Sequence, residues 1–301
     1  MMYMKRMIIS ALAIVAMVGC QEKIDTTTEL SDVKAKFEGS YIDDTKTVGN
    51  SWENGDEVGV FMCDNGVTVT SLEANVGYSV DTYGTFTEID QPIYYPLEGK
   101  VDFYAYYPFQ SDMSGTTYLA DVTSQSDSGA IDLLTASIVN VDKASDAQSF
   151  VFGHALSMVV FNLNVEDNAL SLEGLVVTLE GLNSKASFDV LSGEMIAGSA
   201  SGSDNAITLE TVESKVDESV TAVTATAIVL PETTAAGAKL VFTFADGSSL
   251  STKFDSQPFV SGIRRTYNVV VGTGYVVFDS FGITPWGYEK DDTMYETEKV
   301  E

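Results

Sequence analysis

The chain has 301 residues, and its 44 acidic residues outnumber its 16 lysines and arginines to give a formal net charge of −28 at pH 7. A surface this negative repels phosphate backbones, so no nucleic-acid partner is expected. Hydrophobic residues make up 45% of the chain, which is the composition of a folded protein rather than an acidic disordered tail, and the length allows two domains.

The first twenty residues have the features of a lipoprotein signal peptide. A short basic start precedes an almost entirely apolar run from Met7 to Val18. The run is too short to cross a bilayer as a helix, which takes about 20 residues, so residues 1–19 are interpreted as a secretory signal. Met17-Val18-Gly19-Cys20 resembles a bacterial lipobox, in which the cysteine is acylated and becomes the mature N-terminus. The prediction is lipidation at Cys20; the alternative is an ordinary signal peptide with a chance cysteine.

Strand patterns dominate the rest of the chain. Val33, Ala35, Phe37 and Tyr41 alternate with polar residues, which predicts a half-buried strand. Asp64-Asn65-Gly66 predicts a hairpin turn. Other alternating or apolar runs predict strands at Val58–Met62, Val67–Thr70, Lys100–Tyr107, Phe150–Val165, Leu175–Glu180, Ala186–Leu191, Ala222–Val229, Leu240–Phe244 and Tyr267–Val271. Because helical periodicity is nearly absent, we expect an all-β fold of antiparallel sandwiches, divided at the polar segment Asp142–Gln148.

No pattern of an enzyme, metal or cofactor site is recognisable in the sequence. His154 is the only histidine and lies in a predicted strand, so a catalytic triad is not expected. With Cys20 acylated, Cys63 is the one remaining cysteine, which excludes an intramolecular disulfide and leaves too few ligands for zinc. Calcium-loop and phosphate-loop spacings do not occur. Carboxylate pairs of the glycosidase kind are inevitable among so many acidic residues and carry no information.

Two aromatic segments, Tyr94-Tyr95-Pro96 and Tyr104–Phe109, allow two interpretations. On an exposed sheet face, such rings stack on sugars. In a core, tyrosines pack across strands while their hydroxyls reach water or backbone. We favour the core interpretation and keep sugar binding as the alternative.

An ordered set of motifs runs through the chain. The first is Trp52-x-x-Gly55-Asp56-x-Val58-Gly59-Val60-Phe61, and the second is Tyr94-Tyr95-Pro96-x-x-Gly99-x-Val101-Asp102-Phe103-x-Ala105-Tyr106-Tyr107-Pro108. The third is Phe152-x-His154-x-Leu156-Ser157-x-Val159-x-Phe161, and Pro231, Asp246-Gly247, Gly262-x-x-x-x-Tyr267-x-Val269 and Ile283-x-x-Trp286 follow it. In this order the motifs resemble the fimbrillin (Mfa-like) family, which contains type V pilins and related surface lipoproteins, and the third motif resembles the start of that family's second domain.

The resemblance implies two tandem transthyretin-like β-sandwiches in an acylated lipoprotein that reaches the outer membrane and the cell surface. It also implies that a trypsin-like protease removes an N-terminal strand, which a C-terminal strand of another subunit then replaces. In this chain, cleavage would follow Lys46. The removable strand would carry Val33, Ala35, Phe37 and Tyr41, and the donor strand would carry Tyr275, Val277, Phe281 and Ile283 on one face.

The expected organisation is a signal peptide at 1–19, a lipidated segment at 20–46, β-sandwiches at 47–147 and 148–286, and an acidic tail at 287–301. The leading hypothesis is a structural or accessory subunit of a fimbrium, without catalysis. Its partners would be other fimbrial subunits, outer-membrane lipid through the acyl chains, and a host or bacterial surface receptor. The rivals are a monomeric surface glycan-binding or adhesive lipoprotein and, third, a hydrolase with two carboxylates. The acidic tail would hinder donor-strand use, which leaves an accessory, tip or non-polymerising role open. The sequence does not decide between a shaft, anchor and tip position.

Overall fold

The structure, a computed structural model, describes residues 29–41, 51–68, 71–166, 170–198, 206–216, 219–231, 238–253, 258–286 and 298–299. Strands predominate among these residues, and helix α1 spans only Ser128–Ile131, so the predicted all-β fold is confirmed. In the described part of the chain, no helix is long and apolar enough to span a membrane.

The strands are numbered in chain order and form sheets of seven, six, four, three and two strands. Most alternate buried and exposed residues, as expected where one face of a sheet is covered. Their bounds are β1 Leu30–Lys34, β2 Lys36–Tyr41, β3 Asp56–Asp64, β4 Glu73–Val80, β5 Phe86–Glu88, β6 Tyr94–Pro96, β7 Val101–Tyr107, β8 Thr117–Asp121, β9 Leu134–Val141, β10 Ala147–His154, β11 Ser157–Val165, β12 Val176–Glu180, β13 Lys185–Asp189, β14 Met195–Ala197, β15 Ile207–Thr208, β16 Glu210–Val216, β17 Ser219–Val229, β18 Lys239–Thr243, β19 Ser249–Lys253, β20 Ile263–Gly272, β21 Tyr275–Pro285 and β22 Glu298–Lys299.

The seven-stranded sheet has the order β2-β10-β9-β7-β3-β4-β5 and curves back on itself. Although β2 and β5 are at opposite ends of this order, an antiparallel bridge joins Glu38 of β2 to Thr85, which precedes β5. The amide of Gly39 also donates to the carbonyl oxygen of Gly84 at 2.8 Å. Gly84 has a φ of +80°, and a Cβ there would lie 2.1 Å from the Gly39 oxygen. The closure therefore requires glycine at this point.

The two faces of this sheet are buried against different partners. The inner face encloses an aromatic core that includes Phe37, Tyr78 and Phe103. On the outer face, Phe61 and Tyr106 join the larger core of the second half. There Tyr118 of the three-stranded sheet β14-β13-β8 packs against Tyr106, with ring centroids 5.6 Å apart. Strand β3 is consequently buried on both faces, which explains its unbroken apolar run from Val58 to Cys63.

The second half of the chain is a sandwich of two sheets. The six-stranded sheet has the order β16-β17-β11-β20-β21-β22, and the four-stranded sheet has the order β15-β12-β18-β19. Strand β11 pairs antiparallel with β17 and parallel with β20. The inward side chains of both sheets share one core, which includes Phe161, Val223 and Val269 from the first and Val177, Leu240 and Phe242 from the second.

The division between the halves lies later than the sequence predicts. Strand β10 opens the segment predicted as the second domain, but it pairs with β2 and β9 of the first sheet. Its inward residues Phe150 and Phe152 belong to the aromatic core of that sheet. The polar segment Asp142–Gln148 therefore connects two strands of one sheet, and this sheet continues to His154.

Candidate functional site

The residues of the predicted removable strand lie on two strands in two different sheets. β1 pairs antiparallel with β6, whereas β2 pairs parallel with β10 at one end of the seven-stranded sheet. The chain passes from one sheet to the other at Ala35, which is buried and whose amide donates to the carbonyl oxygen of Ile93 at 2.9 Å. Val33 and Tyr41 are half-buried and pack against the same core that Phe37 enters.

Phe37 is the central side chain of β2. It is 2% exposed, and its ring centroid lies 5.0 Å from that of Phe103 and 5.4 Å from those of Tyr78 and Phe150. Phe86, from the opposite end of the sheet, is 6.3 Å away. Aromatic pairs at these distances add to the stabilisation from buried area alone. Phe37 therefore packs in one aromatic cluster with residues of β10, β7, β4 and β5.

Gly39 lies close against two rings of the aromatic core. A Cβ at this position would lie 3.0 Å from ring carbons of both Phe152 and Phe86. The indole N–H of Trp52 donates to the carbonyl oxygen of Gly39 at 2.8 Å. Since that hydrogen bond goes to the backbone, Trp52 would accept any residue here, whereas the two phenylalanines restrict the side chain to a very small one.

Tyr41 closes the far end of β2. Its ring lies 5.0 Å from that of Trp52. Burial, followed by the negative charge of Asp56, raises the pKa of the Tyr41 phenol well above its ordinary value, so the group stays neutral in the physiological range. Tyr107 donates to the Asp56 carboxylate at 3.2 Å. β2 is thus fixed along its length by aromatic packing and by pairing on both of its edges.

β21 contains the predicted donor residues and lies near the edge of the six-stranded sheet. It pairs with β20 along its whole length. On its other edge, within the described residues, β22 pairs only with Ser280 and Phe281. Most of that edge is left without a strand partner in the described part, and such an edge is a template for further strand addition.

The four predicted donor side chains do not share one face in this structure. The pairing with β20 shifts register between Asn268 and Val269, which leaves Asp279 as an extra, bulged residue. A bulge reverses the alternation of side chains beyond it. Tyr275 and Val277 are accordingly exposed, whereas Phe281 packs on the core, its ring 5.8 Å from that of Tyr267. Ile283 is exposed near the end of the strand.

The end of β21 is anchored to the first sheet by Trp286. Its indole stacks on the His154 imidazole with ring centroids 4.0 Å apart and planes 5° apart. His154 Nδ1 lies 3.0 Å from the Asp132 carboxylate, and the Trp286 amide donates to the carbonyl oxygen of Gly262 at 2.7 Å. The sequence motifs named His154 and Trp286 separately, but Asp132 gave no signal that could have placed it here.

The remaining sequence predictions concern the anchor, the cleavage site and the aromatic segments. Cys20 and Lys46 lie outside the described residues, as does most of the acidic tail. Tyr95 and Tyr106 are buried, and the Tyr106 hydroxyl donates to Asn75 Oδ1 at 2.7 Å; these two rings are therefore core residues rather than a sugar-stacking surface. Among the described residues, no three His, Cys, Asp or Glu side chains gather as a metal site would require.

Comparison with known proteins agrees with this architecture. The chain is 28% identical over 292 residues to a Bacteroides uniformis protein named "Putative fimbrium subunit Fim1C", with 91% of this chain and 92% of that protein covered. The crystal structure of a "putative cell adhesion protein" from Bacteroides uniformis matches with a TM-score of 0.66 and 27% identity, covering 85% of this chain and 99% of the other. A similarly named Bacteroides ovatus structure has the same fold, with a TM-score of 0.66, 20% identity and coverage of 87% and 99%.

The motif order in the sequence, the all-β architecture and these relatives point to one family. Its model, described as fimbrillin-like, matches residues 45–286, which is most of the chain and includes both halves of the fold. The chain belongs to the fimbrillin-like family.

Proposed function

We propose that this protein is a structural or accessory subunit of a cell-surface fimbrium, anchored in the outer membrane through Cys20 and assembled by protease-triggered donor-strand exchange. Its partners are then other fimbrial subunits, membrane lipid and a surface receptor. The observation that carries the proposal is the position of β2: an N-terminal strand inserted between β10 and the β5 end of a sheet that is otherwise continuous.

Loss of β2 would leave a site that demands another strand. Burial of a large apolar side chain such as Phe37 contributes roughly 1.5–3 kcal/mol, and that contribution disappears when the strand leaves. The backbone edge of β10 would lose its parallel partner over Ala147–Phe152, and unpaired edges pair readily with other chains. An extended apolar segment from another subunit would restore both kinds of interaction.

The sequence between β2 and Trp52 offers a place for the cut. Lys46 follows Tyr41 in a polar stretch, and the next lysine or arginine is Lys100. Cleavage at Lys46 would release the segment from residue 20 to 46 with β1 and β2, while Trp52, β10 and β5 stay in the subunit. The space that β2 leaves between β10 and β5 is called the slot below. The donor would be the segment from Tyr275 to Trp286.

Limited trypsin treatment tests this assembly. Wild-type mature protein should convert from monomers into SDS-resistant oligomers once cleavage at Lys46 is detected by mass spectrometry. Deletion of residues 275–301 should prevent the conversion because it removes the donor, whereas deletion of residues 287–301 should permit it. Complete cleavage at Lys46 that leaves a stable, soluble monomer would reject polymerisation and favour a non-polymerising surface lipoprotein.

The membrane anchor has its own test. A Cys20→Ser variant should lose acylation and signal-peptidase-II processing, because a serine hydroxyl is a poor nucleophile in place of the thiol. Metabolic labelling with a fatty acid, followed by gel analysis of wild type and variant, measures the difference. Equal label in the two proteins would eliminate Cys20 as the lipid site.

A further inference from the structure

The slot that β2 occupies has a strict side-chain pattern. Going along the strand, the inward positions hold a small residue, a large aromatic ring and then no side chain at all: Ala35, Phe37 and Gly39. The third position is limited by Phe86 and Phe152, whose ring carbons would lie 3.0 Å from any Cβ there. Direction is specified as well, because β2 runs parallel to β10. A replacement strand must therefore supply a large ring followed, two residues later, by a very small side chain.

The two faces of the segment 275–286 meet this pattern very differently. The face with Tyr275, Val277, Phe281 and Ile283 has Asp279 in its middle. Parallel registers that place Tyr275, Val277 or Phe281 on Phe37 bring the Asp279 carboxylate to the position of Tyr41, Gly39 or Ala35, respectively. The register that places Ile283 on Phe37 sets Pro285 onto Gly39. Burial of an unpaired carboxylate or an overpacked core position is strongly unfavourable.

The other face fits in a single register. With Phe278 at the Phe37 position, Ser280 takes the place of Gly39 and Val276 that of Ala35. Positions 276 to 282 of this face carry no charge, and the Phe278 ring enters the aromatic cluster. A shift by two residues in either direction fails, because it sets Phe278 against Phe86 and Phe152 or leaves the Phe37 space to Ser280.

We infer, on the basis of the donor-strand function proposed above, that a second copy of this chain inserts parallel to β10 with Phe278 replacing Phe37 and Ser280 replacing Gly39. In the monomer this pattern is interrupted. The bulge at Asp279 turns Ser280 to the outer face of β21, where Asn268 Nδ2 donates to its hydroxyl at 2.9 Å. Insertion removes the bulge and returns Ser280 to the face that carries Phe278.

Disulfide cross-linking between β10 and the donor strand measures the register of insertion. Ser149 of β10 lies opposite Glu38 of β2, and its hydroxyl donates to the Glu38 carboxylate. In the inferred register Asp279 of the donor takes the place of Glu38. Adjacent strands are about 4.8 Å apart, within the Cα spacing that a disulfide spans. Mature Ser149→Cys protein is mixed with donors that each carry one introduced cysteine, scanned from Val277 to Gly282. The mixture is treated with trypsin, oxidised and analysed on non-reducing gels.

The cross-link should form with Asp279→Cys and not with Val277→Cys or Phe281→Cys. Oligomers that cross-link instead at Val277, Phe281 or Gly282 would overturn the register and leave donor-strand assembly intact. If wild-type protein is fully cleaved and forms no SDS-resistant oligomers, both proposals fail together.

Two variants matched in added bulk give a second test of the register that does not depend on oxidation. Ser280→Phe should abolish trypsin-induced oligomers, because the ring would enter the space between Phe86 and Phe152. Val277→Phe adds a similar bulk to the opposite, exposed face of β21 and should assemble as wild type does. Circular dichroism before cleavage establishes that each monomer is folded. A folded Ser280→Phe monomer that assembles normally would refute the inferred register.

Discussion

The carboxylate of Asp102 is buried and is held by hydrogen bonds from the Asn65-Gly66 turn and from strand β9. Asn65 Nδ2 and the amides of Gly66 and Asn140 each donate to it at 2.7 Å. These contacts fix the turn that ends β3 and hold Asn140 at a φ of +62°. Burial alone would raise the pKa of Asp102, but the three hydrogen bonds outweigh it and lower the pKa below its ordinary value.

Asp102→Asn should destabilise the protein, because an amide NH2 would replace an oxygen that accepts hydrogen bonds. We expect a loss on the order of 3 kcal/mol at neutral pH. Since the folded-state pKa is the lower one, the carboxylate stabilises the fold above an ordinary Asp pKa of about 3.9, and this contribution is lost as the pH falls through the folded-state value. Urea unfolding of both proteins across pH measures it. Asp142→Asn is the control, since that side chain is exposed; equal losses in the two variants would contradict the assignment.

At the scale of strands, two-residue alternation predicts which side chains of a single strand are buried. The alternation around Phe37 correctly placed Ala35 and Phe37 inward. It could not show the break at Ala35, because the amide there is satisfied by Ile93, far along the chain. The sequence predicts the Asn65-Gly66 turn, but β4 begins at Glu73 rather than at the predicted Val67.

The faces of β21 illustrate the limit of pattern reading. A strict two-residue alternation put Tyr275 and Phe281 on one side, and the bulge at Asp279 separates them. Whether a bulge forms depends on the register with β20, which is a property of the pair of strands and not of either sequence alone. The contact between His154 and Trp286 was inaccessible for a similar reason, because 132 residues separate two rings that meet only in the folded chain.

The stacking of Trp286 on His154 should control the order of the end of β21. Trp286→Ala removes a buried ring and is expected to cost about 3–5 kcal/mol, with the amides of residues 282–286 losing hydrogen-exchange protection first. Ile283→Ala, at an exposed position of the same strand, should change little. Unaltered protection of residues 282–286 in the Trp286→Ala variant would show that β20 alone holds this end.

At the scale of the whole molecule, the core of the second half extends into the first half. β8 comes before the connection to the second half, yet it pairs with β13 of that half, and Phe61 and Tyr106 of the first sheet belong to the larger core. The buried side chain of Gln125 also connects the halves through hydrogen bonds. Its Nε2 donates to the carbonyl oxygens of Val122 at 2.7 Å and Ile228 at 3.0 Å, and its Oε1 accepts from the Ile228 amide at 2.8 Å. Sequence patterns cannot reveal such contacts, because their partners lie far apart in the chain, 103 residues in the case of Gln125 and Ile228.

The β8–β13 pairing, the shared core and the Gln125 hydrogen bonds predict that the described parts of the two halves unfold together. In a urea series followed by hydrogen exchange and mass spectrometry, peptides from β3 and β18 should lose protection at the same denaturant concentration. Gln125→Ala leaves buried backbone groups of Val122 and Ile228 without partners, so stability should fall by on the order of 2–3 kcal/mol while the transition stays single. Gln148→Ala, whose side-chain bond is a local one to Asp146, should have little effect. Two separate transitions in wild type would show that β8–β13 pairing and the shared core do not couple the halves, and that a subunit can lose the packing around β2 while its second half stays folded.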